Sequence, residues 1–234
     1  AVRHKEKQTD KNKDVTQDMN SFADNFLTAN SHADAFIIKH KSPSCGPAHV
    51  KIYASGDNPN VLGKRNGFFA AKIIEHYPLK TSEDEGRLKN YKIREHFLTS
   101  LYTFARFRML RSEPSASKLV KFHSDHKYLL MAYNEQQLRK LGKITANHEK
   151  LPLTKQLELY DDNLHQALEK MPKRTAIINV LYHLFGYFSK TNSAREKKFF
   201  MESIDLYREG RIPLTSVLSI IKTWALRDSN EYLL

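Results

Sequence analysis

The single cysteine of the chain, Cys45, lies in a segment whose composition favours a tight turn. Residues 41–47, with the sequence KSPSCGP, contain two prolines, a glycine and two serines, which interrupt both strands and helices. The backbone N–H groups of such a turn stabilise a neighbouring thiolate and favour the binding of a metal or of sulfur. A buried, unreactive thiol is an equally good interpretation, since a lone cysteine needs ligands from elsewhere to hold a cluster.

Three consecutive acids, Glu83, Asp84 and Glu85, precede Gly86, Arg87 and the start of a long helical pattern. Acids that approach a helix N-terminus offset the helix dipole, and this is the simpler interpretation. The alternative is a carboxylate that transfers a proton or orients a substrate, because crowded carboxylates raise one another's pKa.

Two pairs of polar side chains occur at helical spacing in the second half of the chain. His123 and His126 can share a metal, although a structural role is simpler without a third ligand. Asn179 and His183 lie in an otherwise apolar stretch, so we expect both to face the interior of a helical bundle. There they would join His126 and Tyr187 in a buried hydrogen-bonded network or, alternatively, line a polar pocket. The candidate residues of that pocket are His123, His126, Lys127, Asn179, His183 and Tyr187.

Aromatic and basic residues alternate between positions 102 and 111, an order that suits base stacking and phosphate contacts. The aromatic residues also match the apolar period of a helix, so packing in a core is the preferred interpretation. The net charge of +12 is shared evenly, with 19 basic and 13 acidic residues in each of 1–113 and 114–234. This even distribution favours a generally cationic surface, and the alternative is a dedicated groove that binds a polyanion.

The elements that must position Cys45 and the acids follow from hydrophobic periodicity in the first half. Residues 14–16 favour the start of an amphipathic helix, and residues 35–38 form a compact apolar run typical of a buried strand. A second strand is predicted over 50–53, with helices over 68–76 and 90–111. Cys45 would then lie at the end of a strand, where α/β proteins bind ligands.

The second half contains only helical patterns. Apolar stripes cover 116–142, 152–170, 174–190, 194–209 and 214–227, and Pro172 and Pro213 mark helix starts. We therefore predict a truncated α/β domain over 1–113, a polar break at 112–115, and an all-α bundle of about five helices over 114–234.

Composition restricts the class of protein further. With 40% hydrophobic and 27% charged residues, the 234-residue chain is typical of globular proteins, and its apolar runs are far shorter than the roughly 18 residues of a membrane span. One cysteine excludes internal disulfides and agrees with a reducing, cytoplasmic compartment. Because the sequence begins at Ala1 and no signal peptide follows, we expect it to be part of a longer protein.

Together, the motifs of the first half resemble the thiouracil desulfurases of bacteria. The resemblance rests on residues 14–16 (DVT), 36–39 (FIIK), 42–46 (SPSCG) and 83–88 (EDEGRL). It implies a four-iron four-sulfur cluster held by three cysteines, with an open iron that takes sulfur from a thiolated pyrimidine. Cys45 matches the last of these cysteines, and the other two belong to earlier motifs that this sequence lacks. The resemblance also places Ser42, Ser44 and Gly46 in the environment of the cluster or substrate.

The motifs of the second half resemble the YbgA domain, which follows a desulfurase-like domain in long YbgA-like proteins. This resemblance rests on residues 119–123 (LVKFH), 126–132 (HKYLLMA), 141–142 (LG), 179–181 (NVL), 186–188 (GYF), 207–208 (YR) and His183.

The resemblance implies an iron–sulfur-dependent desulfurase that acts on a thiolated nucleobase or a related small molecule, with a helical accessory domain. An iron with an open position acts as a Lewis acid and lets water replace sulfur without net redox change. The alternative is a nucleic-acid-binding or nucleic-acid-modification protein without catalysis of its own, for which the net charge argues. A third interpretation treats the helical domain as a regulatory or assembly module whose histidines only pack.

Overall fold

A computed structural model describes residues 14–48, 50–53, 60–77 and 81–234. The chain forms two compact units, the first ending at Met109 and the second beginning at Leu110. Strands occur in the first unit, whereas the second, which is described throughout, contains helices and no strand. This arrangement confirms the predicted contrast between a mixed first half and a helical second half.

Among its described residues, the first unit contains four strands, two complete α-helices and a short 3₁₀ helix (Arg87–Lys89), and a third α-helix extends past its end. In chain order these elements are α1 (Thr16–Ala29), β1 (Ala35–Ile38), β2 (Val50–Tyr53), β3 (Val61–Arg65), α2 (Phe68–His76), β4 (Thr81–Asp84) and α3 (Tyr91–Ser112). The helix start predicted at residues 14–16 is confirmed, since the Asp14 carboxylate accepts a hydrogen bond from the Thr16 N–H at 2.9 Å. The helix predicted over 68–76 is confirmed as Phe68–His76, and Pro78 lies outside the described residues.

The strands pair in two separate two-stranded sheets. Strands β2 and β3 form an antiparallel hairpin with an irregularity between Ile52 and Tyr53. Strands β1 and β4 are parallel, and their register places Ile38 opposite Asp84. The carboxyl ends of parallel strands meet at one edge, so the segments that follow Ile38 and Asp84 leave the sheet together.

A small core holds this unit together and includes the candidate cysteine. Its buried members are Leu27, Phe36, Ile38, Ala70 and Ile73, with Ala33, Cys45, Phe69 and Tyr77 packed against them. Burial of each Leu, Ile or Phe side chain stabilises the fold by about 1.5–3 kcal/mol. The run predicted as a buried strand is buried on one face only, because Ile37 points to solvent between Phe36 and Ile38.

The second unit contains seven complete helices rather than about five. They are α4 (Ala116–Asp125), α5 (Lys127–Tyr133), α6 (Glu135–Ala146), α7 (Leu153–Ala167), α8 (Arg174–Gly186), α9 (Ala194–Glu209) and α10 (Leu214–Arg227). The stripe predicted as one helix over 116–142 breaks at His126 and again at Asn134. His126 leaves the helical conformation, and the side chain of Asn134 caps a new helix by accepting the Gln137 N–H.

A group of aromatic rings from α8, α9 and α10 packs in a largely aliphatic core of the second unit. Phe200 lies at its centre, with ring centroids 5.3 Å from Phe185 and 5.2 Å from Trp224. A capping box at Ser193 and Glu196 fixes the start of α9, which carries Phe200. Across the described ranges of the chain, no helix is long and apolar enough to cross a membrane.

Candidate functional site

The Cys45 turn brings two serine hydroxyls and the thiol into one hydrogen-bonded chain. Ser42 Oγ lies 3.0 Å from Ser44 Oγ, which lies 3.3 Å from Cys45 Sγ. The turn closes through the Gly46 N–H, which donates to the Ser42 carbonyl at 2.8 Å. The structure therefore brings Ser42, Ser44 and Gly46, the three residues expected around the cysteine, into one turn with Cys45, which is partly buried.

The start of α2 fixes this turn. The Gly67 N–H donates to the Gly46 carbonyl at 2.8 Å, and the Phe69 N–H donates to the Ser44 carbonyl at 2.7 Å. N–H groups in the first turn of a helix have no partner within the helix, and here two of them find acceptors in the carbonyl groups of the turn. The backbone on both sides of Cys45 is therefore held by a regular element.

Gly46 is needed for close approach within the turn. A Cβ atom at this position would lie 2.7 Å from Val50 Cγ2 and 2.8 Å from the Ser42 carbonyl oxygen. Any other residue would therefore push the turn away from the start of β2.

The acidic segment forms a second group of side chains at the same sheet edge. Asp84 is buried, and its Oδ1 accepts the Arg87 N–H at 2.7 Å and lies 3.1 Å from His40 Nδ1. The Glu85 carboxylate accepts the His40 N–H at 2.6 Å and pairs with Lys39 Nζ at 3.0 Å. A hydrogen bond from Lys39 lowers the pKa of Glu85 below its ordinary value.

The three acids do not lie at the N-terminus of the long helix α3, so they do not cap it. The cap of α3 is instead Asn90, whose side-chain oxygen accepts the N–H groups of Lys92 and Ile93 at 3.0 and 3.3 Å. The acids belong to β4 and to the turn that follows it, where their partners come partly from the end of β1. Sequence reasoning missed β4 and His40, because a polar strand shows no apolar run.

The two candidate histidines of the second unit have separate structural partners. His123 Nδ1 lies 3.1 Å from the hydroxyl of the fully buried Tyr160, and His126 Nδ1 lies 2.8 Å from the Phe122 carbonyl oxygen. Burial, followed by the charge of Lys127 and the neighbouring imidazole, lowers the pKa of His123. These contacts favour the structural interpretation of both histidines.

The prediction that Asn179 and His183 face the bundle interior is wrong. Both side chains are exposed, because α8 buries the opposite face, which carries Ile178, Leu181 and Leu184. Their exposure rules out the buried network with His126, whereas the polar pocket stays a prediction. Asn179, His183 and Tyr187 instead follow one another at four-residue steps along an exposed face.

Tyr187 belongs to a cluster of three tyrosines, which we call the tyrosine surface; Tyr187 and Tyr232 are exposed, and Tyr128 is partly buried. The Tyr128 hydroxyl donates to the Tyr187 hydroxyl at 2.8 Å, and the Tyr232 ring lies 6.2 and 6.1 Å from the rings of Tyr128 and Tyr187. Lys127 Nζ lies 5.6 Å from the centre of the Tyr128 ring. Burial and the bond to Tyr187 raise the pKa of Tyr128. Sequence reasoning named Tyr187 and Lys127 and missed Tyr128 and Tyr232, because tertiary contacts bring them together.

The alternating aromatic and basic residues of α3 are mostly engaged in packing and ion pairs. Phe104 and Phe107 are buried, which confirms the packing interpretation for these two rings, whereas Tyr102 is exposed. Arg108 forms a two-pronged pair with Asp34 at 2.7 and 2.9 Å. The stretch therefore does not present its rings as a stacking platform.

Family comparisons agree with the two-part organisation. Residues 1–85 match the family model described as 2-thiouracil desulfurase. Residues 127–234 match the family model described as protein of unknown function (DUF1722). The resemblance of the two halves to these two kinds of domain is thereby confirmed.

Among curated proteins, the chain is similar to the uncharacterized protein YbgA of Escherichia coli (strain K12), with 30% identity over 105 residues. The match covers 44% of this chain and 62% of that relative, so the chain spans less than two thirds of the relative's length. No solved structure shows a significant match.

Proposed function

We propose that the first unit carries part of a hydrolytic desulfurase site for a thiolated nucleobase or a related small molecule. In this proposal, Cys45 lies where the sulfur is bound. The observation that carries the proposal is the turn, in which the thiol follows the carboxyl end of β1 and lies within hydrogen-bond distance of a serine hydroxyl. The match of residues 1–85 to the desulfurase family model supports it. In this proposal, 1–113 is the C-terminal part of a desulfurase-like α/β domain, and 114–234 is a helical accessory domain.

The four-iron four-sulfur cluster that the resemblance implies does not fit the residues of this chain alone. Such a cluster is held by several thiolates, and Cys45 is the only cysteine in the sequence. Within 14–48, 50–53, 60–77 and 81–234, no group of three or more His, Cys, Asp or Glu side chains is arranged to hold a metal. We propose Cys45 as one thiolate ligand, so the remaining thiolates would have to come from outside these 234 residues.

The turn residues suit sulfur binding without any further group. The Ser44 hydroxyl is placed to donate a hydrogen bond to sulfur at Cys45, and the Ser42 hydroxyl in turn fixes that of Ser44. Packing of Cys45 against the core of the first unit keeps one side of the thiol dry. Two backbone hydrogen bonds from α2 hold this arrangement in place before a substrate arrives.

The proposal is tested by measuring the iron and acid-labile sulfide contents of the whole protein after anaerobic purification from its own organism. We expect both in the parent and a loss of most of the iron in Cys45→Ser and Cys45→Ala, because neither side chain replaces a thiolate ligand. We also expect the parent to release sulfide from 2-thiouracil and both variants to lose this activity. Urea unfolding of the variants serves as the control for folding.

Two results would contradict this proposal. A parent protein that holds no iron and releases no sulfide would exclude the desulfurase site. Equal iron content in the parent and in Cys45→Ala would show that Cys45 is not a ligand of the cluster.

Nucleic-acid binding by the helical unit is a second candidate, favoured by the tyrosine surface. Exposed aromatic rings stack on bases, and a neighbouring lysine contacts phosphate. Tyr187 and Tyr232 are each more than two-fifths exposed, and Lys127 lies over the ring of Tyr128, the third member of the cluster. The net charge of +12 would attract a polyanion over longer distances.

Affinity for a single-stranded oligonucleotide at low salt tests this second candidate. We expect Tyr187→Ala to weaken binding by about tenfold, because stacking of one base contributes about 1–3 kcal/mol. Tyr102→Ala, which removes an exposed tyrosine from α3, is the matched control and should leave the affinity unchanged. No binding by the parent, even at low salt, would exclude this candidate.

A further inference from the structure

We propose that His40 is a proton-transfer residue of the desulfurase site and that Asp84 is its positioning residue; this inference rests on the proposed function. The two side chains meet where the parallel strands β1 and β4 end, with His40 Nδ1 3.1 Å from Asp84 Oδ1. The Cys45 turn begins immediately after His40 and folds back through the bond from the Gly46 N–H to the Ser42 carbonyl. The imidazole and the thiol therefore leave the same edge of the sheet.

Asp84 is held rigidly, as the partner of a catalytic imidazole must be. It is 2% exposed, and its Oδ1 also accepts the Arg87 N–H at 2.7 Å. A carboxylate oxygen 3.1 Å from Nδ1 favours the tautomer that carries the ring proton on that nitrogen, which leaves Nε2 as the basic atom. The side chain of His40 is 41% exposed, so water or a small molecule can reach the ring.

Gly86 makes room for this pair. A Cβ atom at Gly86 would lie 3.0 Å from Asp84 Oδ1 and 3.1 Å from His40 Cγ. The backbone of Gly86 has ordinary helical angles, with φ −73° and ψ −43°, so the glycine serves close approach and not an unusual conformation. The imidazole and the carboxylate thus lie directly over the backbone that follows β4.

The other charged groups around His40 already have partners. Glu85 accepts the His40 N–H and pairs with Lys39, while Glu83 accepts the Arg87 Nε–H at 2.7 Å. The hydrogen bond from Lys39 lowers the pKa of Glu85, so this carboxylate does not readily exchange protons near neutral pH. Imidazole is the side chain that ordinarily gains and loses a proton near neutrality, which assigns proton transfer in this group to His40.

The hydrolytic removal of sulfur needs a group that takes up and releases protons. Water oxygen bonds to the thiocarbonyl carbon and the carbon–sulfur bond breaks, so that C=S and H₂O become C=O and H₂S without a change of redox state. Nε2 of His40 takes a proton from water as the carbon–oxygen bond forms. It gives that proton to the sulfur, then takes the remaining hydroxyl proton as C=O forms and passes it to the departing hydrosulfide. Both protons of water therefore end on H₂S, and the imidazole ends the cycle neutral as it began.

A second His–Asp pair in the same unit provides the contrast. His76 Nε2 lies 2.8 Å from Asp24 Oδ1 and joins α2 to α1. The side chain of Asp24 is 41% exposed, against 3% for that of Asp84. The pair at His76 therefore has the geometry of a surface contact between helices and makes a matched control.

The test compares His40→Asn with His76→Asn in the full protein, with sulfide release from 2-thiouracil as the readout. An asparagine amide can replace Nδ1–H as donor to Asp84 but carries no exchangeable proton, so we expect about a hundredfold lower rate with unchanged urea stability. Free imidazole should restore part of the rate in His40→Ala, which a merely structural role would not allow. His76→Asn should match the parent.

An independent readout needs no activity. Nitrogen-15 NMR of the imidazole should show the proton of neutral His40 on Nδ1 in the parent, and on Nε2 in Asp84→Ala, where the carboxylate is lost. An Nε2–H imidazole in the parent would overturn the positioning role of Asp84. An active parent with an equally active His40→Asn variant would contradict only the role of His40, whereas an inactive parent would contradict the proposed function and, with it, this role.

Discussion

Replacement of Gly67 by alanine is expected to destabilise the first unit by about 3 kcal/mol and to displace the Cys45 turn. A Cβ atom at Gly67 would lie 2.5 Å from both the carbonyl carbon and the oxygen of Ser44, and 2.8 Å from the Cys45 nitrogen. All three are backbone atoms, so no side-chain rotation relieves the contact. The turn must move, and the bond from the Gly67 N–H to the Gly46 carbonyl must lengthen or break.

Amide hydrogen exchange across the first unit, together with urea unfolding, measures this effect. Gly63→Ala is the control, because a Cβ atom on β3 at Gly63 meets nothing within 4 Å. The control should change the free energy of unfolding by less than about 0.5 kcal/mol. Parent-like exchange at residues 42–46 in Gly67→Ala would show that α2 does not fix the turn.

The parts of the first unit that sequence predicted correctly are those encoded locally. The apolar run that forms β1 and the proline-rich turn after it depend on residues within a few positions of each other. The helix over Phe68–His76 likewise shows its own periodicity. For this reason the position of Cys45 at a strand end could be predicted from the sequence.

The acidic half of the site could not be predicted, because it depends on a contact across 44 positions. The residues of β4, Thr81–Asp84, are polar, and what makes them a strand is pairing with β1. Without that pairing nothing connects His40 to Asp84. Only Gly86, placed directly after the acids, hinted at a close approach of backbone and side chain.

The error at Asn179 and His183 has a different cause. Residues 177–188 are apolar nearly all round the helix, so the sequence does not show which face is buried. The structure buries the face of Ile178, Leu181 and Leu184 against neighbouring helices, and the polar residues take the other side. The apolar stripe over 116–142 is also continuous, so the sequence does not show that the helix breaks at His126. In the structure, His123 and His126 contact different partners.

Phe200→Ala is expected to destabilise the second unit by about 4 kcal/mol, because it empties the centre of the aromatic group in the core. The Phe200 side chain is fully buried, and its ring lies against those of Phe185 and Trp224 at 5.3 and 5.2 Å. The loss combines the transfer free energy of the ring with a cavity that these rigid neighbours cannot fill.

The adjacent residue provides the control, since Phe199 is 58% exposed on the same helix and Phe199→Ala removes the same atoms. Phe199→Ala should change the free energy of unfolding by no more than about 0.5 kcal/mol, apart from the small stabilisation that the higher helix propensity of alanine brings. Trp224 is the only tryptophan of the chain, so its fluorescence during urea unfolding reports this core directly. Similar unfolding midpoints for the two variants would show that α9 does not bury Phe200 against α8 and α10, and would contradict the helical packing described above.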